Sequence, residues 1–129
     1  MSNQMTLRSI NHFNRSGCVS VWIGDINSEE ELDRYLRERF PIDFGFSFSG
    51  TGRAESAAFS QPGDIVEILR QASQARHFIE QIARCAPQNG IQEANCVLIL
   101  YACEYLVSEI LNLKAPLRFL GAFRYDAEA

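Results

Sequence analysis

GCVSVWIGDINSEEELDRYLRERFP, from Gly17 to Pro41, is the stretch that decides the fold. Its first part, Gly17 to Gly24, is a run of β-branched and aromatic residues bounded by glycines, which predicts a strand. Gly24-Asp25 then turns the chain. Ser28 and Glu31 have the S-x-x-E spacing of a capping box, where the serine oxygen accepts an otherwise orphaned N–H of the first helical turn. Glu29, Glu30 and Glu31 sit at the positive pole of that helix, and Arg37 and Arg39 sit at the negative pole. Leu32, Tyr35, Leu36 and Phe40 recur at helical spacing and predict a buried stripe. Pro41 is expected to stop the helix.

Working outward, Asp43 to Ser49 (DFGFSFS) alternates strictly, with Phe44, Phe46 and Phe48 on one side, and predicts a half-buried strand. Gly50-Thr51-Gly52 is a turn, and Ala54 to Ser60 is the expected returning strand. Pro62-Gly63-Asp64 opens a short helix with Asp64 and Glu67 at cap spacing. A further helix is expected from Gln74 to Ala86, ended by Pro87. Asn95 to Tyr101 (NCVLILY) is a continuous apolar run, as in a central strand covered on both faces. Arg118 to Tyr125 (RFLGAFRY) is a last strand, with Phe119, Phe123 and Tyr125 expected on one face and Arg118 and Arg124 on the other. The class is therefore α+β: one domain over 17–126, an antiparallel or mixed sheet with about three helices packed on it, and a flexible arm over 1–16. Trp22, Leu36, Ile82, Val97, Ile99 and Phe119 are expected to belong to or border one core.

A chain of 129 residues with 47% hydrophobic and 22% charged residues is ordinary for one globular domain. No apolar run approaches the ~20 residues of a membrane span, and the N-terminus lacks the pattern of a secretory signal. Cys18, Cys85, Cys96 and Cys103 form no CxxC pair, so neither a zinc site nor a redox motif is indicated, and a reduced, cytoplasmic setting is expected. The net charge of −4 is concentrated: Asp25 to Asp43 holds seven acids and three arginines, and the remainder holds nine of each sign. A local acidic surface fits a basic protein partner and argues against nonspecific nucleic-acid binding; with no spanning run, no membrane is expected as a partner.

The residues do not assemble a catalytic set. His77 fits a helix-surface position, and no signature of a Cys-His nucleophile surrounds any cysteine. Gly50-Thr51-Gly52 lacks a Walker lysine and a dinucleotide fingerprint. Glu29, Glu30, Glu31 and Asp33 cannot all converge on a metal from one helix, so no cofactor is expected.

The strand VSVWIG (Val19 to Gly24), the helix opening SEEELDRYL (Ser28 to Leu36) and the late run LRFLGAFRY (Leu117 to Tyr125) together resemble the immunity protein 22 family of bacterial polymorphic toxin systems. The resemblance covers the two ends of the domain and not Ser47 to Gln92. It implies an α+β protein, without catalytic residues, that binds a cognate toxin such as a nuclease and protects its producer. A nuclease must attract phosphate, so an acidic helix would complement its cleft. Asp25, Glu29, Glu30 and Asp33 are the residues expected to meet the toxin. The competing readings are a small cysteine-dependent enzyme and a scaffold subunit of a larger assembly.

Overall fold

The computed structural model describes residues 8–9, 13–48, 53–88, 92–106 and 115–124. In chain order the elements are β1 (Arg8–Ser9), β2 (Asn14–Gly24), α1 (Glu29–Glu38), α2 (Phe40–Phe44), β3 (Phe46–Ser47), β4 (Ala54–Asp64), α3 (Ile65–Leu69), a 3-10 turn (Ala75–His77), α4 (Ile79–Gln88), β5 (Glu93–Cys103) and β6 (Leu117–Arg124). The main sheet is antiparallel, with strand order β4-β5-β2-β6, and β1 and β3 form a separate parallel pair. The class is α+β in one domain, as the sequence leads one to expect.

The sheet is covered on both faces, and the apolar residues divide into two clusters. Val19, Val21 and Ile23 of β2 and Val97 and Ile99 of β5 join Ile65, Ile68 and Leu69 of α3, Phe78 just after the 3-10 turn and Ile82 of α4. Trp22, Cys96, Leu98 and Leu100 point the other way and join Leu32, Tyr35, Phe40 and Phe46 beneath α1 and α2. The single core expected above is thus corrected to two, one on each side of the central strands, because alternation along a strand sends neighbours to opposite faces. Trp22 is fully buried within a ring of aromatics, with centroids 5.0 Å from Phe119, 5.3 Å from Phe40 and 5.4 Å from Tyr105. Among the described residues its Nε1 has no hydrogen-bond partner. Leu36 and Phe119 are half-buried at the margin of this cluster.

Several local expectations are corrected. Asp43 to Ser49 is not one strand: Phe40 to Phe44 is helical, Gly45 ends it in the left-handed region (φ 81°), and only Phe46–Ser47 is extended. Pro41 both stops α1 and opens α2, since its fixed φ suits a first helical turn. Gly45 satisfies the last turn by donating its N–H to Pro41 O at 2.8 Å. β4 does not return along the phenylalanine strand but pairs with β5. β2 begins at Asn14 and Phe13 is buried, so the end of the expected 1–16 arm is part of the folded body. In β6 a register shift opposite Val21 and Trp22 breaks the alternation, so Phe119 faces Trp22 while Leu120 and Phe123 face the other cluster. Tyr125, His12 and the Gly50–Gly52 turn lie outside the described residues.

Candidate protein-binding surface

α1 is held at both ends. Ser28 Oγ accepts from Glu31 N–H at 3.1 Å, and Leu32 N–H donates to Ser28 O at 3.0 Å, as the capping-box spacing requires. At the far end Arg39 N–H donates to Tyr35 O at 2.8 Å and Asp43 N–H to Arg39 O at 2.9 Å. The Tyr35 hydroxyl donates to Asp43 Oδ2 at 2.7 Å inside the α1–α2 junction. Burial, then the hydrogen bond to Asp43, raises the Tyr35 pKa above the usual tyrosine range, so the phenol stays neutral and keeps donating. Asp43 is buried, so it belongs to this junction and leaves the acidic surface to which the sequence assigned it.

The acids that remain are on the outside. Asp25, Glu29, Glu30, Glu31, Asp33 and Glu38 are exposed, as are Arg34, Arg37 and Arg39. The four residues expected to meet a partner, Asp25, Glu29, Glu30 and Asp33, are therefore brought to the surface at one end of α1 and the loop before it. Glu30 with Arg34, and Asp33 with Arg37, have the spacing of helix ion pairs. The ion pairs among the described residues lie elsewhere, at Arg15–Glu104 (2.8 Å) and Arg70–Glu67 (3.8 Å). The charges of α1 are open to solvent and to a partner. α1 packs over the β4 side of the sheet, and the loop before it leaves the sheet at Gly24 opposite Cys96, whose thiol is pushed up to about 11 by burial with the charge of Asp25 adding to it.

The thiols are poorly placed for nucleophilic chemistry. Cys18, Cys96 and Cys103 are buried and free. Burial also raises the Cys103 pKa, against a smaller lowering by Ser20 and Arg53. A buried, protonated thiol is a weak nucleophile. His77, expected on a helix surface, is half-buried in the 3-10 turn, and its Nε2 is buried without a hydrogen-bond partner among the described residues. No group of three His, Cys, Asp or Glu among the described residues could hold a metal. No helix among them is long and apolar enough to cross a membrane.

The sequence reading missed a second polar cluster, on β4 and the opposite face. Glu55 accepts from Ser73 N–H at 3.1 Å, Ser73 Oγ at 3.0 Å and the Tyr101 hydroxyl at 2.6 Å. Burial, followed by the hydrogen bond to Glu55, pushes Tyr101 up to about 12. The cluster ties the segment after α3 to the sheet. Its partners are 18 and 46 residues from Glu55 in sequence, too far apart for any local pattern to reveal.

One family model, described as immunity protein 22, matches residues 19–126, nearly the whole chain. No curated protein and no solved structure matches.

Proposed function

Starting from a chain that belongs to the immunity protein 22 family, we propose that it binds a cognate toxin in the producer's cytoplasm and neutralises it by covering the toxin's active or substrate-binding surface. The toxin surface it meets is basic, as a nuclease cleft is, and Asp25, Glu29, Glu30 and Asp33 contact it. The observation that carries this reading is a capped, doubly anchored helix whose exposed acids make no ion pair among the described residues. Such a preorganised charged face speeds encounter and fixes orientation more than it adds raw affinity. α1 is about 15 Å long. A standard interface takes about 800 Å² from each partner, so the helix can form its centre but not its whole extent.

The protein's role in this reading is binding without turnover. The cysteine-dependent alternative is opposed by the burial of Cys18, Cys96 and Cys103, and nothing observed favours the scaffold alternative. The test is the association rate with the cognate toxin at two ionic strengths for the Glu30→Lys, Asp33→Lys double variant. The expected result is a fall in rate of about tenfold or more at low salt and less at high salt. Unchanged rates would remove α1 from the interface. If the acids serve only the helix dipole, the variant loses about 0.3–1 kcal/mol per charge in stability and nothing in binding.

A further inference from the structure

The two edges of the main sheet are finished differently. β6 carries exposed Arg118 and Arg124, is bulged opposite Val21 and Trp22, and at Arg124 its backbone N–H and C=O are both taken by the Gln81 carboxamide. Charge, a bulge and a covering group are the usual ways a fold blocks strand addition. On β4 the register shift and Pro62 come after Ala58, and Glu55 is turned inward, so Ala54–Ala58 has no bulge and no covering group among the described residues.

In the β4–β5 ladder Tyr101 N–H donates to Arg53 O at 3.0 Å, which makes those two a hydrogen-bonded pair. The register then runs Ala54 opposite Leu100, Ser56 opposite Leu98 and Ala58 opposite Cys96. Hydrogen-bonded and non-hydrogen-bonded pairs alternate in an antiparallel ladder, so the N–H and C=O groups of Ala54, Ser56 and Ala58 point away from β5. No described residue bonds to them. Ala54 and Ser56 are exposed. The stretch has one ionisable side chain, Glu55, which is turned to the other face and held by Ser73 and Tyr101.

What fits this edge follows from what lies above it. α1 packs against β4 on the face to which Ala54, Ser56 and Ala58 point. Asp25, in the loop before α1, follows Gly24, which pairs with Cys96, and Cys96 is opposite Ala58. A strand laid along β4 would send every second side chain to that face, toward carboxylates that have no ion-pair partner among the described residues. A second copy of this chain suits the edge badly. Two β4 strands paired about a two-fold axis would set two acidic helices side by side on one face.

We infer that β4 is the docking edge for the toxin: an extended toxin segment with lysine or arginine at alternate positions adds to Ala54–Ala58 and places its cations against the acids of α1. This rests on the toxin-binding reading above and adds a backbone register to it. The main-chain bonds supply affinity and the alternate side chains supply specificity.

The test uses the full chain, an inactive form of its cognate toxin, and two blocked heptapeptides of valine alternating with lysine or with glutamate. Ser56→Pro removes a donor that the ladder does not use and obstructs strand addition. Ser56→Lys places a cation on the exposed edge and spares the backbone. With thermal midpoints close to the parent's, Ser56→Pro is expected to weaken toxin binding about 100-fold or more and Ser56→Lys about tenfold. The lysine peptide should slow amide exchange at Ala54, Ser56 and Ala58, and the glutamate peptide should not. If both variants bind toxin like the parent while Glu30→Lys, Asp33→Lys does not, the toxin docks on α1 without β4; this inference is then overturned and the functional reading stands. If the parent does not bind the toxin, the functional reading falls and the toxin assignment falls with it. An edge that neither peptide protects overturns strand addition in either case, and a free dimer dissolved by Ser56→Pro assigns the edge to a second copy.

Discussion

β4 (AESAAFSQPGD) and β6 (LRFLGAFR) are both outer strands with one antiparallel neighbour each, yet they are built for different ends. β6 is an anchor. Leu117, Leu120 and Phe123 are buried and, with half-buried Phe119, divide between the two faces, and arginines flank them. β4 has no fully buried residue. Its residues are mostly small, its order comes from the Glu55 cluster and from pairing with β5, and the outer backbone of Ala54–Ala58 has no bulge or cover among the described residues. The difference teaches that the two edges of one sheet can divide the work. One closes the hydrophobic layers and is protected against further pairing, and the other leaves Ala54–Ala58 uncovered among the described residues.

That contrast depends on a rigid centre shared by both edges, and the largest expected effect tests this. Trp22→Ala should cost about 3–5 kcal/mol in chemical denaturation, because the indole is fully buried and a cavity would remain among its neighbouring rings. A loss below about 1 kcal/mol would mean that the centre is not close-packed. Next in size, Arg118→Val with Arg124→Val removes the charges that guard β6. Two such strands paired antiparallel about Gly121 would otherwise oppose arginine to arginine. The double variant should therefore self-associate at micromolar concentrations in sedimentation velocity, while the parent does not. Absence of self-association would show that the bulge and the Gln81 cover suffice without charge.

A smaller effect is expected at the cover itself. Gln81→Ala leaves the Arg124 backbone groups to water and should cost about 1 kcal/mol, with faster amide exchange at Arg124 alone. The smallest effect concerns the inner face of β4. Tyr101 is raised to about 12, so the folded state holds its proton where the unfolded chain has lost it. Stability from this cluster is complete below the unfolded value near 10 and falls as pH rises toward 12. Tyr101→Phe should lack that alkaline decline and be less stable at neutral pH. Equal slopes for parent and variant between pH 10 and 12 would remove Tyr101 as the cause.

Much of the fold was legible because the signals were local. Gly17 to Gly24 and Asn95 to Tyr101 are apolar runs bounded by polar or turn residues, and they became the two central strands. Ser28 and Glu31 marked the helix start within one turn. What was not legible depended on distant partners. FPIDF is helical where the Tyr35 hydroxyl is at hand to hold the buried Asp43, whereas the phenylalanine alternation alone favours a strand. The alanines of β4 carry no period, so its pairing with β5 could not be read. The apolar run of β5 implied cover on both faces, yet its consequence, two clusters in place of one, needed the helices to be placed. At the candidate surface, helical period was enough to put Glu29, Glu30 and Asp33 outside. Asp43 was misjudged because burial by Tyr35 leaves no trace in local charge.

The most direct test of the central account is residue-resolved amide exchange of the full chain, free and bound to an inactive form of its cognate toxin. The account predicts that exchange at Ala54, Ser56 and Ala58 slows about tenfold or more on binding, together with protection along α1, while Phe119 and Ala122 on β6 stay unchanged. Protection confined to β6, with β4 and α1 exchanging as in the free protein, would contradict it.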